Sequence, residues 1–168
     1  MGETAENVAE KYNITRLEQD EFAYNSQLKY ELAHQAGKFA EELMTVEIPQ
    51  GKAAPILFSK DEHPRLSPVE KLGTLAPAFK KDGSVTAGNS SGINDGAAVM
   101  LLASEDAIKR YNLTPLVSVV SMATVGVPPE IMGIGPVSAT QKALQRAGFS
   151  TKELNLIELN EAFASQSV

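Results

Sequence analysis

Apolar residues follow two different rhythms along the chain. In the first half they recur at helical spacing. Tyr24, Leu28 and Leu32 fall at i, i+4 and i+8, which predicts an apolar stripe on one helix. Thr15 with Glu18 three residues later is a capping-box signature for the start of that helix, and Gly37 marks its stop just after Ala36. A shorter helix is predicted from Ala5 to Tyr12, preceded by Thr4 and closed by Asn13. Beyond a short segment around Phe39 and Leu43, Thr45 to Ile48 is strand-like, and Pro49 with Gly51 marks a turn. Lys52 to Arg65 reads as a loop carrying one apolar knot at Ile56-Leu57-Phe58. Ser67-Pro68-Val69-Glu70 then combines an N-cap, a proline at the first helical position and an early acidic residue. Gly73 and Pro77 keep that helix short, and Lys80 to Gly83 reads as a turn.

In the second half the apolar residues come in continuous runs: Ala97 to Ala103, Leu116 to Met122 with three valines, and Leu156 to Leu159. These predict strands apolar on both faces, as in a sheet covered on both sides. Ser104 caps a helix from Glu105 to about Tyr111, Ser138 caps another that Gly148 ends, and Ser150 with Glu153 forms a second capping box. The order strand–helix–strand–helix–strand predicts an α/β class. Three short strands are too few for a self-sufficient parallel sheet. The chain also stops where a further helix should begin, so the pattern implies partners that these residues do not supply.

Composition narrows the chemistry. The 168 residues are 43% hydrophobic and 21% charged, enough for one domain or slightly more. A net charge of −6 and a pI near 5.0 argue against a nucleic-acid backbone or an anionic membrane as partner. Cysteine is absent and histidine occurs twice, at His34 and His63. Disulfides, thiolate metal sites and a cysteine nucleophile are therefore excluded within this chain, and no metal site is expected. No apolar run is long enough to span a membrane. The N-terminus lacks a signal-peptide profile, which places the expected location in the cytoplasm, or in an organelle matrix in a eukaryote.

Three segments carry candidate chemistry. Ala87 to Gly96 is small, polar and glycine-rich, so its backbone can approach a ligand while Asn89, Ser90 and Ser91 offer hydrogen bonds. A tight connection ahead of a buried strand explains the same residues, and the spacing matches no phosphate or dinucleotide fingerprint. Asn160-Glu161-Ala162-Phe163-Ala164 follows a predicted strand, where α/β sheets gather ligands. There Asn160 either donates to a substrate oxygen or water, or caps the next helix. Met132-Gly133-Ile134-Gly135-Pro136 is either a loop or an apolar wall along a ligand. His63, His34, Lys80 and Lys81 read as surface residues, and Arg65 is a candidate for meeting a phosphate.

Taken together, these motifs resemble the thiolase family. Thr86-Ala87-Gly88-Asn89-Ser90-Ser91-Gly92-Ile93-Asn94-Asp95-Gly96-Ala97-Ala98 is similar to the family signature. Met132 to Pro136 and Asn160 to Ala164 resemble two further motifs in the family's order and spacing. Met1-Gly2 with Thr4 to Asn7, and Glu18-Gln19-Asp20, resemble the start of its lid region. The resemblance covers essentially the whole chain and is nearest to the acetyl-CoA acetyltransferase members.

The resemblance implies an α/β, thiolase-like fold fragment: a mostly helical lid plus partial sheets of two thiolase-type domains. It places the lid at residues 1–90, the end of the N-terminal domain at 91–115 and the start of the C-terminal domain at 116–168. It implies an acyltransferase that forms or cleaves acetoacetyl-CoA or 3-ketoacyl-CoA through an acyl-cysteine. Both family cysteines and the catalytic histidine are absent here, so the chain alone is expected to be inactive. Coenzyme A thioesters are the implied substrates, with no tightly bound cofactor. The implied whole enzyme is a homodimer or homotetramer without nucleic-acid or membrane partners. By motif, Asn160 is the catalytic position, holding a water in an oxyanion hole. Arg65, Phe79, Ala87, Ser91, Met132, Ala162 and Phe163 are the implied coenzyme and acyl contacts. Lys71 departs from the family, some members of which place a serine there near the adenine. The alternative reading is a non-catalytic module that binds coenzyme A or acyl-CoA.

Overall fold

A computed structural model describes residues 1–168, which divide into two compact units. The first joins Met1–Gly92 to Glu161–Val168, and the second is Ile93–Asn160.

In the first unit, α1 (Gly2–Tyr12) ends at Asn13 in the left-handed conformation, and α2 (Arg16–Gln35) starts at the expected box. The Glu18 carboxylate accepts from the Thr15 amide and hydroxyl, each at 2.7 Å, and the Thr15 hydroxyl accepts from the Glu18 amide at 3.2 Å. These bonds satisfy donors that a helix start leaves without partners. The apolar stripe of α2 is not its buried face. Tyr24 and Leu28 are half-buried and Leu32 is exposed, whereas Gln19 and Asp20 are the buried residues of this helix. The helix is thus docked by polar groups, which hydrophobic spacing does not register.

The segment read as a loop with an apolar knot contains a strand. β1 (Val46–Gln50) pairs antiparallel with β2 (Ala53–Phe58), with Val46 opposite Phe58, Glu47 opposite Leu57 and Ile48 opposite Ile56. Gly51, at φ +63°, starts the two-residue turn, and the register slips between Ile48 and Gln50, at Pro49. The alternation that should have signalled β2 is broken by Pro55 and by three adjacent apolar residues. The short helix α3 (Val69–Gly73) follows, then the predicted turn, with the Gly83 amide donating to the Lys80 carbonyl at 3.0 Å.

The core of this unit is small in side-chain volume: Ala5, Val8, Ala9, Leu72, Val85 and Ala164. Buried polar residues bind its parts together. The Glu6 carboxylate accepts from the amides of Ser84 (2.9 and 3.0 Å) and Val85 (2.9 Å) and from the Ser84 hydroxyl (3.1 Å). The Ser165 hydroxyl donates to the Ala5 carbonyl at 3.1 Å, fastening α6 (Ala164–Ser167) to α1.

In the second unit, α4 (Glu105–Tyr111) is capped by Ser104, whose hydroxyl accepts from the Ala107 amide at 3.3 Å. A 3-10 turn, Pro129–Ile134, leads into α5 (Gly135–Ala147), which ends at left-handed Gly148. The helix starts before Ser138 because Pro136, with its fixed φ, occupies its first turn. Lys142 and Arg146 donate to the carbonyls of Thr124 (3.1 Å) and Met122 (2.8 Å). The Ser150 and Glu153 box forms as expected, on the 3-10 turn Thr151–Glu153. The strands expected at 97–103, 116–122 and 156–159 form no ladder, since β1 and β2 make up the one sheet. Ladder hydrogen bonds need an adjacent strand, and these runs have none within the chain. Their apolar side chains stay open to solvent, and Ile131 is the single buried residue of this unit. The mixed α/β class holds, with helices and one small open sheet.

Two predictions follow from the packing of the first unit. Replacing Glu6 by Ala leaves the Ser84 and Val85 amides without acceptors, at a cost of about 1–3 kcal/mol per unpaired buried group. Urea unfolding should show a loss of that order for Glu6→Ala and a smaller one for Glu6→Gln, which keeps one acceptor. The second concerns pH. The backbone amide of Thr15 and then its hydroxyl hold the Glu18 carboxyl below its ordinary value. The cap therefore stabilises α2 fully above the ordinary glutamate range and is lost as pH falls through the lowered value. Thermal midpoints compared at pH 6 and pH 3 should drop more for the parent chain than for Glu18→Gln.

Candidate functional site

The glycine-rich loop is positioned by its own asparagine. The Asn89 side-chain oxygen accepts from the Thr86 amide at 2.8 Å, and its amide nitrogen donates to the Ser84 carbonyl (3.1 Å) and to Asp20 (2.9 Å). Asn89 is buried, so it braces the loop and does not face a ligand. The Thr86 hydroxyl accepts from the Gly88 amide at 3.1 Å, and the Ser90 hydroxyl donates to the Thr86 carbonyl at 2.7 Å. Gly88 lies against α3: a Cβ at this position would come within 2.6 Å of Leu75 and 2.8 Å of Leu72. A side chain at this position would have to push the terminal methyl groups of Leu72 and Leu75 aside.

This close approach shapes one wall of a cavity of about 400 Å3 within the first unit, a size typical of small-molecule sites. Ala87, Gly88 and Ser90 of the loop line it together with Leu72 and Leu75. Ala23, Tyr24 and Gln27 supply the α2 side. Arg65, Lys71 and His63 bring cationic or protonatable groups to the lining, with Glu62 as its one carboxylate. The segment bearing Arg65 is fixed to α2, because the Arg65 amide donates to the Gln27 side-chain oxygen at 2.8 Å. In a chain of net charge −6, a lining with this balance favours an anionic ligand.

A second group forms at the other end of the loop. The Ser91 amide donates to the Ala162 carbonyl (3.0 Å) and the Ala164 amide to the Asn89 carbonyl (2.9 Å), with Ser90 bridged to Phe163. The rings of Phe79 and Phe163 meet edge to face, 6.0 Å between centroids. Gly2 packs against the Phe79 ring, leaving no room for a Cβ. Beside this group the Ser26 hydroxyl donates to Glu161 at 2.6 Å.

The structure thus brings Arg65 and Ala87 into the cavity and gathers Phe79, Ser91, Ala162 and Phe163 at the far end of the loop. Met132 and Asn160 belong to the second unit and are exposed there. Asn160 caps no helix, since Phe163 holds the N-cap position of α6. His63, read as a surface residue, is exposed and also lines the cavity. Sequence reasoning gave no site role to Tyr24 and Gln27, which line the cavity, or to Glu6 and Asp20, which support the loop, although Tyr24 falls in the helical stripe and Glu6 and Asp20 within the lid motifs. The spacing of Ala23, Tyr24 and Gln27 on one side of α2 is the signal that could have found the former. No group of three or more His, Cys, Asp or Glu residues is arranged to hold a metal ion.

Comparison with known proteins agrees with these motifs. The family model "Thiolase, N-terminal domain" matches residues 1–106, and "Thiolase, C-terminal domain" matches residues 113–168. An acetyl-CoA acetyltransferase of Allochromatium vinosum is 52% identical over 100% of this chain and 43% of its own length. The crystal structure of the Bacillus anthracis acetyl-CoA acetyltransferase superposes with a TM-score of 0.89 at 48% identity, covering 99% of this chain and 42% of that one. Human mitochondrial 3-ketoacyl-CoA thiolase in complex with CoA gives a TM-score of 0.88 at 47% identity, covering 99% and 41%. The chain therefore spans less than half the length of the relatives it matches.

Proposed function

The chain belongs to the thiolase family, and on that premise we propose that it is the middle part of an acetyl-CoA C-acetyltransferase that forms or cleaves acetoacetyl-CoA or a longer 3-ketoacyl-CoA. One observation carries this reading. The family's glycine-rich motif forms a wall of a cavity whose lining combines Leu72 and Leu75 with Arg65, Lys71 and His63. Coenzyme A has the matching chemistry, an extended amide-bearing arm and anionic phosphates.

In this reading residues 1–90 are the lid over the coenzyme, residues 91–115 close the N-terminal domain and residues 116–168 open the C-terminal one. Arg65 meets the phosphate end of the coenzyme. Lys71, on the same cavity, adds a second cation where some members have a serine. Ala87 and Ser91 contact the pantetheine arm, Met132, Ala162 and Phe163 line the pantetheine and acyl end, and Phe79 is a lid residue near the coenzyme. Asn160 holds the water of an oxyanion hole, where a positioned donor stabilises the charge that develops on the thioester or enolate oxygen. The acyl-accepting thiolate and the histidine that activates it come from outside these 168 residues, because the chain has no cysteine and the thiol anion is the nucleophile. The proposal includes a homodimeric or homotetrameric assembly in the cytoplasm or an organelle matrix. No helix is long and apolar enough to cross a membrane.

Calorimetric titration of coenzyme A into the chain tests the binding half of this reading. Arg65→Ala should weaken binding about tenfold, the equivalent of one charge-assisted hydrogen bond. The same material should not cleave acetoacetyl-CoA, followed by its enolate absorbance, and measurable cleavage would overturn the assignment of the thiolate. In a whole enzyme carrying this segment, Asn160→Ala should lower kcat by about a hundredfold or more and leave KM nearly unchanged, as for loss of an oxyanion donor. An unchanged kcat would rule out that role.

A further inference from the structure

Arg16, Asp20 and Asn89 are three buried or half-buried polar residues, and none of them is among the coenzyme contacts given above. They form one continuous chain of hydrogen bonds. The Arg16 Nη2 donates to the Leu72 carbonyl (2.6 Å) and the Leu75 carbonyl (3.0 Å), at the end of α3. Its Nε donates to Asp20 Oδ2 at 2.8 Å. The other Asp20 oxygen accepts from Asn89 Nδ2 at 2.9 Å, and Asn89 Oδ1 accepts from the Thr86 amide at 2.8 Å. The two ends of this hydrogen-bond chain therefore fall on two neighbouring parts of the cavity lining: Leu72 with Leu75 on one side, and the loop of Ala87, Gly88 and Ser90 on the other. None of the three residues lines the cavity itself.

We propose that Arg16, Asp20 and Asn89 act as positioning residues for the ligand. They fix the separation between the end of α3 and the glycine-rich loop, and so set the affinity of the cavity for coenzyme A without touching it. This rests on the coenzyme A reading given above. The geometry favours a positioning role over simple core filling. Asp20 is 1% and Asn89 3% exposed, and burying a carboxylate costs free energy that apolar residues of the same volume would avoid. What the polar set adds is direction. Each bond has one geometry, and a network with its donors and acceptors satisfied holds one arrangement of the surrounding backbone. Gly88 brings the loop backbone into direct contact range of Leu72 and Leu75, so a change in the separation is felt at once by the cavity lining.

The test uses polarity exchange in the full chain. Asn89→Asp sets two carboxylates against each other. Asp20→Asn combined with Asn89→Asp restores one donor facing one acceptor between these two side chains, while the Ser84 carbonyl, which Asn89 also serves, is left facing a carboxylate in both variants. Coenzyme A affinity is measured by calorimetry at a temperature where circular dichroism shows each variant folded. Asn89→Asp should weaken binding about tenfold or more, and the double exchange should recover part of that loss, the signature of direct coupling between neighbours. Arg16→Lys keeps the charge beside Asp20 but not the fork that reaches two carbonyls. It should weaken binding with little change in thermal midpoint, and it decides the matter if Asn89→Asp does not fold. Folded variants with parental affinity, or an exchange that folds and recovers none of the lost affinity, would overturn the proposal. If the parent chain does not bind coenzyme A, the reading of the cavity falls. The positioning role is then judged by hydrogen exchange of the 86–91 amides: faster in Asn89→Asp and restored by the exchange supports it, and unchanged rates overturn it.

Discussion

Three consecutive backbone amides, those of Ser84, Val85 and Thr86, are turned inward in a unit with few large apolar side chains to surround them. Each takes its acceptor from a side chain and not from a neighbouring strand: Glu6 for the first two and Asn89 for the third. A buried amide without an acceptor is costly, so these bonds fix where α1 and α2 sit. Val85 and Thr86 are fully buried at their meeting point. The segment after them is left with one path across the end of α3, and that path is the wall of the cavity.

The functional geometry inherits this constraint. A loop of small residues has no stiffness of its own, because glycine and serine permit many backbone conformations. The loop from Ala87 to Ser91 acquires stiffness from Asn89 at its centre, from Asp20 and Arg16 behind it, and from the bonds that tie it to Ala162 and Ala164. The motif thus combines two kinds of residue. Ala87, Gly88 and Ser90 are small so that a ligand or α3 can come close. Asn89 is polar and buried so that the small residues stay where they are.

Local signals were legible in the sequence and tertiary ones were not. The capping boxes at Thr15 and Ser150, the left-handed stops at Asn13, Gly37 and Gly148, and the turn before Ser84 depend on residues within a few positions of one another. Three features lay beyond the local pattern because their physics is non-local. The α2 stripe of Tyr24, Leu28 and Leu32 suggested an apolar docking face, but the helix docks through Gln19 and Asp20, whose partners lie more than 60 residues away. The second strand of the hairpin was hidden by Pro55 and a lack of alternation, and pairing with β1 is what defines it. The runs at 97–103, 116–122 and 156–159 have strand composition, yet composition does not supply a neighbour. The site divided the same way. Its motifs were recognisable as strings, whereas the roles of Glu6, Asp20, Tyr24 and Gln27 emerge only once α1 and α2 stand against the loop.

Native-state hydrogen exchange on the parent chain tests the central claim most directly. If Glu6 and Asn89 organise the unit, the amides of Ser84, Val85, Thr86 and Ala164 should exchange together and most slowly, with one shared opening free energy. The β1–β2 hairpin, whose apolar side chains are largely exposed, should exchange earlier. Exchange at Ser84 to Thr86 as fast as in the hairpin, or spread over unrelated rates, would contradict the account.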